Sequence, residues 1–243
     1  LLHDLLTRGI DENGELRDPE RHPEQFKDSP LGRIPKAWEM KELAQLSEFV
    51  TSGSRGWAAY YADSGPLFIR IGNLTREHIN LRFSNLQHVL PPDSSEGKRT
   101  ALQPGDLLIS ITADLGIIGV VPDGLGEAYV NQHIALVRID PARANSRWVG
   151  QYMAAPIAQE QIRRLDDPGA KAGLNLPTVR ALLCALPSRG EQDEMAARVD
   201  ALDARIVREE RMRAKFDLMK RGLMEDLLTG RVRVTALLEE AAE

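Results

Sequence analysis

The chain has 243 residues, 42% of them hydrophobic and 28% charged, a balance that excludes a disordered or fibrous protein. No apolar run approaches the roughly 18 residues needed to cross a bilayer, and the start lacks the basic-then-apolar pattern of a secretory leader. The net charge of −5 argues against a protein that holds nucleic acid by bulk charge alone. That charge is unevenly spread: residues 1–30 carry 4 basic and 8 acidic side chains, residues 31–190 carry 17 and 15, and residues 191–243 carry 10 and 13. The middle is mildly positive between negative ends, which permits DNA binding without requiring it. The single cysteine, Cys184, excludes an intramolecular disulfide and a cysteine-based zinc site. It lies in the apolar run 181–186 and reads as a buried small hydrophobe, so a reducing cytoplasm is the expected compartment.

Taken in chain order, Leu1–Thr7 reads as a helix end, and the Pro-containing stretch to Pro30 as a linker with a turn at Asp11-Glu12-Asn13-Gly14. Residues 31–190 alternate short strand-like runs with turns: 67–71, 106–112, 116–121 and 132–139. Runs of this length bounded by Gly, Pro and Asp predict a mostly antiparallel sheet. Helical patterns at 148–164 and 176–183 make the domain α+β. From Glu191 to about Leu228 the only breaker is Gly222. Met195, Val199, Leu202 and Ile206 repeat by four and three, as do Met212, Phe216, Met219 and Leu223. The phase slips across Glu209-Glu210-Arg211. About 38 helical residues make a rod of roughly 57 Å, too long for the preceding domain to cover. Its apolar stripe is expected to meet another helix; the alternative is a helix folded back on its own domain. Residues 230–243 are left as a tail.

Leu2-His3-Asp4-Leu5-Leu6-Thr7 is echoed by Met224-Glu225-Asp226-Leu227-Leu228-Thr229, and in both places a Gly lies within two residues of the Thr, as at a helix C-cap. A chain that opens on the end of one such helix and closes on the end of another reads as one period of a two-fold repeat.

Several ordered fragments resemble the specificity subunit of type I restriction-modification systems. Leu31-Gly32-Arg33-Ile34-Pro35-Lys36-Ala37-Trp38 is similar to the entry of a target recognition domain. Gly105-Asp106-Leu107-Leu108-Ile109-Ser110, Asn131-Gln132-His133 and Leu174-Asn175-Leu176 with Leu186-Pro187 and Glu191-Gln192 are similar to later landmarks, and Leu227-Leu228-Thr229-Gly230 to the end of the spacer helix. The resemblance implies a target recognition domain over 31–190 that reads half of a split target in double-stranded DNA. It implies a spacer helix over 191–229 that packs against the helix of a second half. Residues 1–7 would then be the tail of a preceding spacer helix. The expected partners are that second half, in cis or as a homodimer, the modification (methyltransferase) subunits, and the restriction subunit through the complex. The chain is expected to be either the second half of a full subunit or a half-length subunit that dimerises.

Base reading needs side chains that reach base edges and others that hold phosphates. In the loop at 51–61, Ser54 and Arg55 offer polar contacts and Trp57, Tyr60 and Tyr61 offer flat surfaces. Arg70, Asn73 and Arg76 surround the next turn; Thr112 and Asp114 end a strand. Lys171 lies in the Gly-bearing loop 167–173. Each has a plain alternative: an aromatic packing corner, turn polars, a cap or a solvated tip. Asn131-Gln132-His133 reads as structural. No methyltransferase segment, nucleotide loop, metal-spaced histidine pair or nucleophile elbow occurs, so no cofactor and no catalytic activity are expected. A protein-interaction module with a helical dimerisation rod is the rival from another class. The reader of a single-chain restriction-modification enzyme is a third reading.

Overall fold

The computed structural model describes residues 2–53, 55–91, 95–165 and 174–231. The chain divides into two units, residues 1–197 and 198–243. In the first unit, α1 (Leu2–Arg8) precedes a hairpin of β1 (Phe26–Ser29) and β2 (Gly32–Pro35). Next come β3 (Glu39–Glu42), α2 (Leu43–Leu46), β4 (Ser47–Ser52), β5 (Tyr61–Ile69), β6 (His88–Val89) and α3 (Ser95–Thr100). The second half of the unit holds β7 (Leu107–Ser110), β8 (Ile118–Val120), β9 (Ala128–Val130), β10 (Ile134–Ile139), α4 (Ser146–Ala154), α5 (Pro156–Leu165), α6 (Leu176–Ala181) and β11 (Leu183–Leu186). Helix α7 (Arg189–Leu228) begins in the first unit and supplies most of the described part of the second. The α+β class and the long terminal helix agree with the sequence reading.

The main sheet is antiparallel, in the order β4-β10-β7-β8. A second sheet, β6-β5-β9, contains the parallel pair β5 and β9; β11 pairs with β3. Strand β7 is buried at every position and β10 at all but one, because both faces of the main sheet are covered. Leu108, Ile134 and Leu136 join Ile69, Leu74 and Val130 in one core cluster. Trp148 of α4 lies edge-on to Trp38, with ring centroids 5.4 Å apart, and its indole N–H donates to the Ala185 carbonyl at 3.0 Å.

Two expectations change at helix boundaries. The pattern 148–164 is two helices, not one, because Pro156 lacks an N–H and opens a new helix after the extended residue Ala155. The pattern 176–183 stops at Ala181, and Leu183 already pairs with Glu42.

The stretch read as a linker is structured. Phe26 faces Pro35 and Ser29 faces Gly32 across the hairpin, so the boundary between residues 30 and 31 falls inside its turn. Leu5, Leu6 and Ile10 are buried. Glu191 explains how this segment is held. Its carboxylate accepts from the Ile10 N–H at 3.0 Å, Arg17 Nη1 at 2.5 Å and the Trp38 indole at 3.2 Å. Gly9 closes α1 at φ +63°, and a Cβ there would lie 2.3 Å from Glu191 Oε1, so only glycine fits.

The two echoed segments share their ends. Thr7 Oγ1 donates to the His3 carbonyl at 2.8 Å and Thr229 Oγ1 to that of Glu225 at 2.5 Å. Gly230 takes φ +70°, as Gly9 does φ +63°. Their burial differs: Leu5 and Leu6 are buried, Leu227 and Leu228 exposed.

The helix-interface expectation needs one correction. Met195 and Val199 are buried and offer nothing to a partner helix. Leu202, Ile206, Met212, Phe216, Met219 and Leu223 are exposed, and Leu218, Met224, Leu227 and Leu228 join them. The helix runs unbroken through 209–211, so the slip in phase turns the apolar stripe about the axis rather than interrupting the backbone.

Candidate nucleic-acid interface

Strand register collects several loops at one end of the sheets. Ser52 at the end of β4 faces Ala135 at the start of β10, and Ile134 faces Ser110 at the end of β7. Ile69 at the end of β5 faces Val130, from which the chain turns into β10. The loops after β4, β5 and β7 and the turn before β10 therefore lie together. Backbone bonds join them: Gly53 N–H to the Ile134 carbonyl at 3.1 Å, Asn131 to Ile69 at 3.0 Å, Ile111 to His133 at 2.9 Å and Leu174 to Ile111 at 3.1 Å. Gly53 presses so closely on the neighbouring turn that a Cβ would lie 2.0 Å from the Asn131 carbonyl oxygen.

The sequence-predicted residues sort by what they already hold. Arg55 is exposed at the loop tip. Trp57 is buried, stacked on Phe68 at 5.7 Å and packed on Tyr129 at 5.3 Å. Its ring face belongs to the core and cannot meet a base, a correction to the reading above. Tyr60 and Tyr61 remain exposed. Asn73 is buried: its Oδ1 accepts from the Arg70 N–H at 2.9 Å and its Nδ2 donates to the Arg82 carbonyl at 3.0 Å. Its amide is occupied in closing the turn, which corrects its assignment as a DNA contact. Arg70 lies beside it and donates to the Asn85 carbonyl at 3.1 Å.

Arg76 and Asp114, distant in sequence, meet at 2.5 Å. Arg76 Nη2 also donates to the Leu115 carbonyl at 2.7 Å and Nη1 to Gln159 Oε1 at 3.3 Å. The arginine latches the loop after β7 to α5. That loop is tightly built: Ser110 Oγ donates to the Asp114 carbonyl at 2.5 Å and accepts from the Ile117 N–H at 2.8 Å, while Ala113 takes φ +59°. A non-glycine residue there costs conformational energy, and such positions concentrate at functional loops. Thr112 Oγ1 meets His133 Nδ1 at 2.8 Å, and His133 Nε2 meets Gln132 Nε2 at 3.1 Å. The row joins Thr112, a candidate DNA contact in the sequence, to Gln132 and His133, which read there as structural. Ser54 and Lys171 lie outside the described residues.

Arg99, which sequence reasoning missed, also reaches the edge: it bonds Thr51 Oγ1 and donates to the Ser52 carbonyl at 2.8 Å. Its signal was faint, a basic residue on a short helix with no motif. Among the described residues no cluster of His, Cys, Asp or Glu is placed to hold a metal ion, and no helix is long and apolar enough to cross a membrane.

No family model matches the chain. It is 21% identical over 242 residues to the type I restriction enzyme MjaVIII specificity subunit of Methanocaldococcus jannaschii, covering 98% of this chain and 54% of that protein. It is 22% identical over 235 residues to the putative type I restriction enzyme MjaX specificity subunit of the same organism, covering 96% and 50%. Among solved structures, a chain of a type I restriction-modification assembly gives a TM-score of 0.57 at 17% identity, over 86% of this chain and 49% of that one. The HsdS subunit of Thermoanaerobacter tengcongensis gives 0.51 at 17% identity, over 84% and 47%. The chain thus spans about half the length of the curated relatives it matches. The resemblance read from the motifs is borne out: in sequence and in fold the chain is similar to specificity subunits of type I restriction enzymes.

Proposed function

We propose that the chain is one DNA-reading half of a type I specificity subunit. The loop edge of residues 53–61, 70–76, 111–117 and 131–133 docks on double-stranded DNA. The observation that carries this reading is the convergence of loops on a rigid sheet end, the arrangement that lets separate loops address one ligand. The chain itself performs no catalysis in this reading. Methylation and cleavage belong to modification and restriction subunits bound in the same complex, inside the cell.

The exposed apolar face of α7 packs against the matching helix of a second half, in a longer chain or a second copy. Two linked readers gain effective concentration, so each half need bind only weakly, in keeping with the mild charge of residues 31–190. Fluorescence anisotropy of a labelled duplex at rising salt tests the reading. The expected result is binding whose logarithm falls linearly with the logarithm of salt concentration. Binding indifferent to salt, or none in the assembled complex, overturns it and leaves the protein-interaction module.

A further inference from the structure

Arg55 is exposed in the loop after β4. The loop that carries it is pinned on both sides. Gly53 is pressed against the Val130–Asn131 peptide, where any side chain would collide with backbone. Trp57 is sunk into the aromatic cluster of Phe68 and Tyr129. Gly56 reverses the chain at φ +72°, with open space where a Cβ would stand. Between these anchors Arg55 projects into solvent. Its flanks are slender, with Gly53, Gly56, Ala58 and Ala59 close by.

The other arginines near this edge are engaged by the protein. Arg76 holds Asp114 and Leu115, Arg99 holds Thr51 and Ser52, Arg70 holds Asn85 and Arg180 holds Val50. Arg55 hydrogen-bonds no group among the described residues. Arg55 is exposed, so a ligand can reach its guanidinium.

We propose that Arg55 is a base-reading residue that recognises guanine, an inference resting on the DNA-reading function above. A guanidinium matches the O6 and N7 acceptors of guanine in the major groove by two hydrogen bonds, and a groove about 12 Å wide admits a slender loop. A phosphate contact would need only charge at the surface of the duplex. The anchors at Gly53 and Trp57 limit where the loop can carry Arg55, which suits a contact of defined, bidentate geometry.

The test is selection of targets from a random duplex library by the intact protein, its Arg55→Ala variant and its Arg55→Lys variant, each checked for native circular dichroism. The expected result is a guanine enriched at one position by the parent and lost by both variants, with the other positions kept. Affinity for the parent target should fall on the order of tenfold in both. Uniform weakening across all sequences, rescued by Arg55→Lys, overturns the inference: Arg55 would then be a phosphate contact, with the DNA-reading function intact. No enriched sequence for the parent overturns both.

Discussion

Glu191 gathers a backbone N–H, a guanidinium and an indole N–H around one nearly buried carboxylate, its side chain 9% exposed beside an Arg17 at 16%. Glu191→Ala would strand those donors and is expected to cost about 3 kcal/mol, measured as a lowered thermal midpoint. Cys184 is a second residue-scale case. It is fully buried, and burial pushes its thiol pKa far above the usual range. The thiolate is the reactive form, so the folded protein should resist a thiol reagent at neutral pH and react only on unfolding. Fast labelling of the native state would contradict this. Cys184 was legible in the sequence because an apolar run leaves a cysteine little choice of environment. Trp57 and Asn73 were misread for the converse reason. An aromatic ring or an amide suits a ligand or a core equally, and only tertiary contacts decide which one takes it.

At the scale of elements, β10 is locked to the turn before β7 by a buried pair. Arg138 Nε and Nη2 reach the two oxygens of Asp106 at 2.9 and 2.8 Å, and the guanidinium lies 4.7 Å over the Phe49 ring. Asp106→Ala leaves that cation uncompensated and is expected to lower stability by about 3 kcal/mol. A lowered urea midpoint with an unchanged slope would show it. The runs 106–112, 116–121 and 132–139 each contain a strand, because short apolar segments between Gly, Pro and Asp have few other solutions. The hairpin 26–35 was not legible, since its polar strands carry no alternation. Its pairing is fixed instead by tertiary contacts, with Phe26 and Ile34 buried. The meeting of Arg76 with Asp114 was likewise hidden, since 38 residues separate them.

For the whole molecule, the apolar face of α7 is the feature that one chain leaves unused. Phe216, Met219 and Leu223 are exposed on successive turns, a contiguous apolar stripe of the kind that marks a contact surface. Phe216→Glu combined with Leu223→Glu is expected to abolish association through this helix, with the circular dichroism of the parent retained. Where a second copy supplies the partner helix, light scattering of the purified protein would show a mass reduced from two chains to one. An unchanged mass would place the contact elsewhere.

Selection from a random duplex library with the intact protein decides whether the loop edge reads a DNA sequence. The expected outcome is an enriched sequence whose affinity falls steeply with salt. A split, two-fold symmetric sequence would mean two copies paired through α7, and a single asymmetric one a lone reader. Recovery of no sequence, with binding indifferent to salt, would rule out DNA reading by this chain.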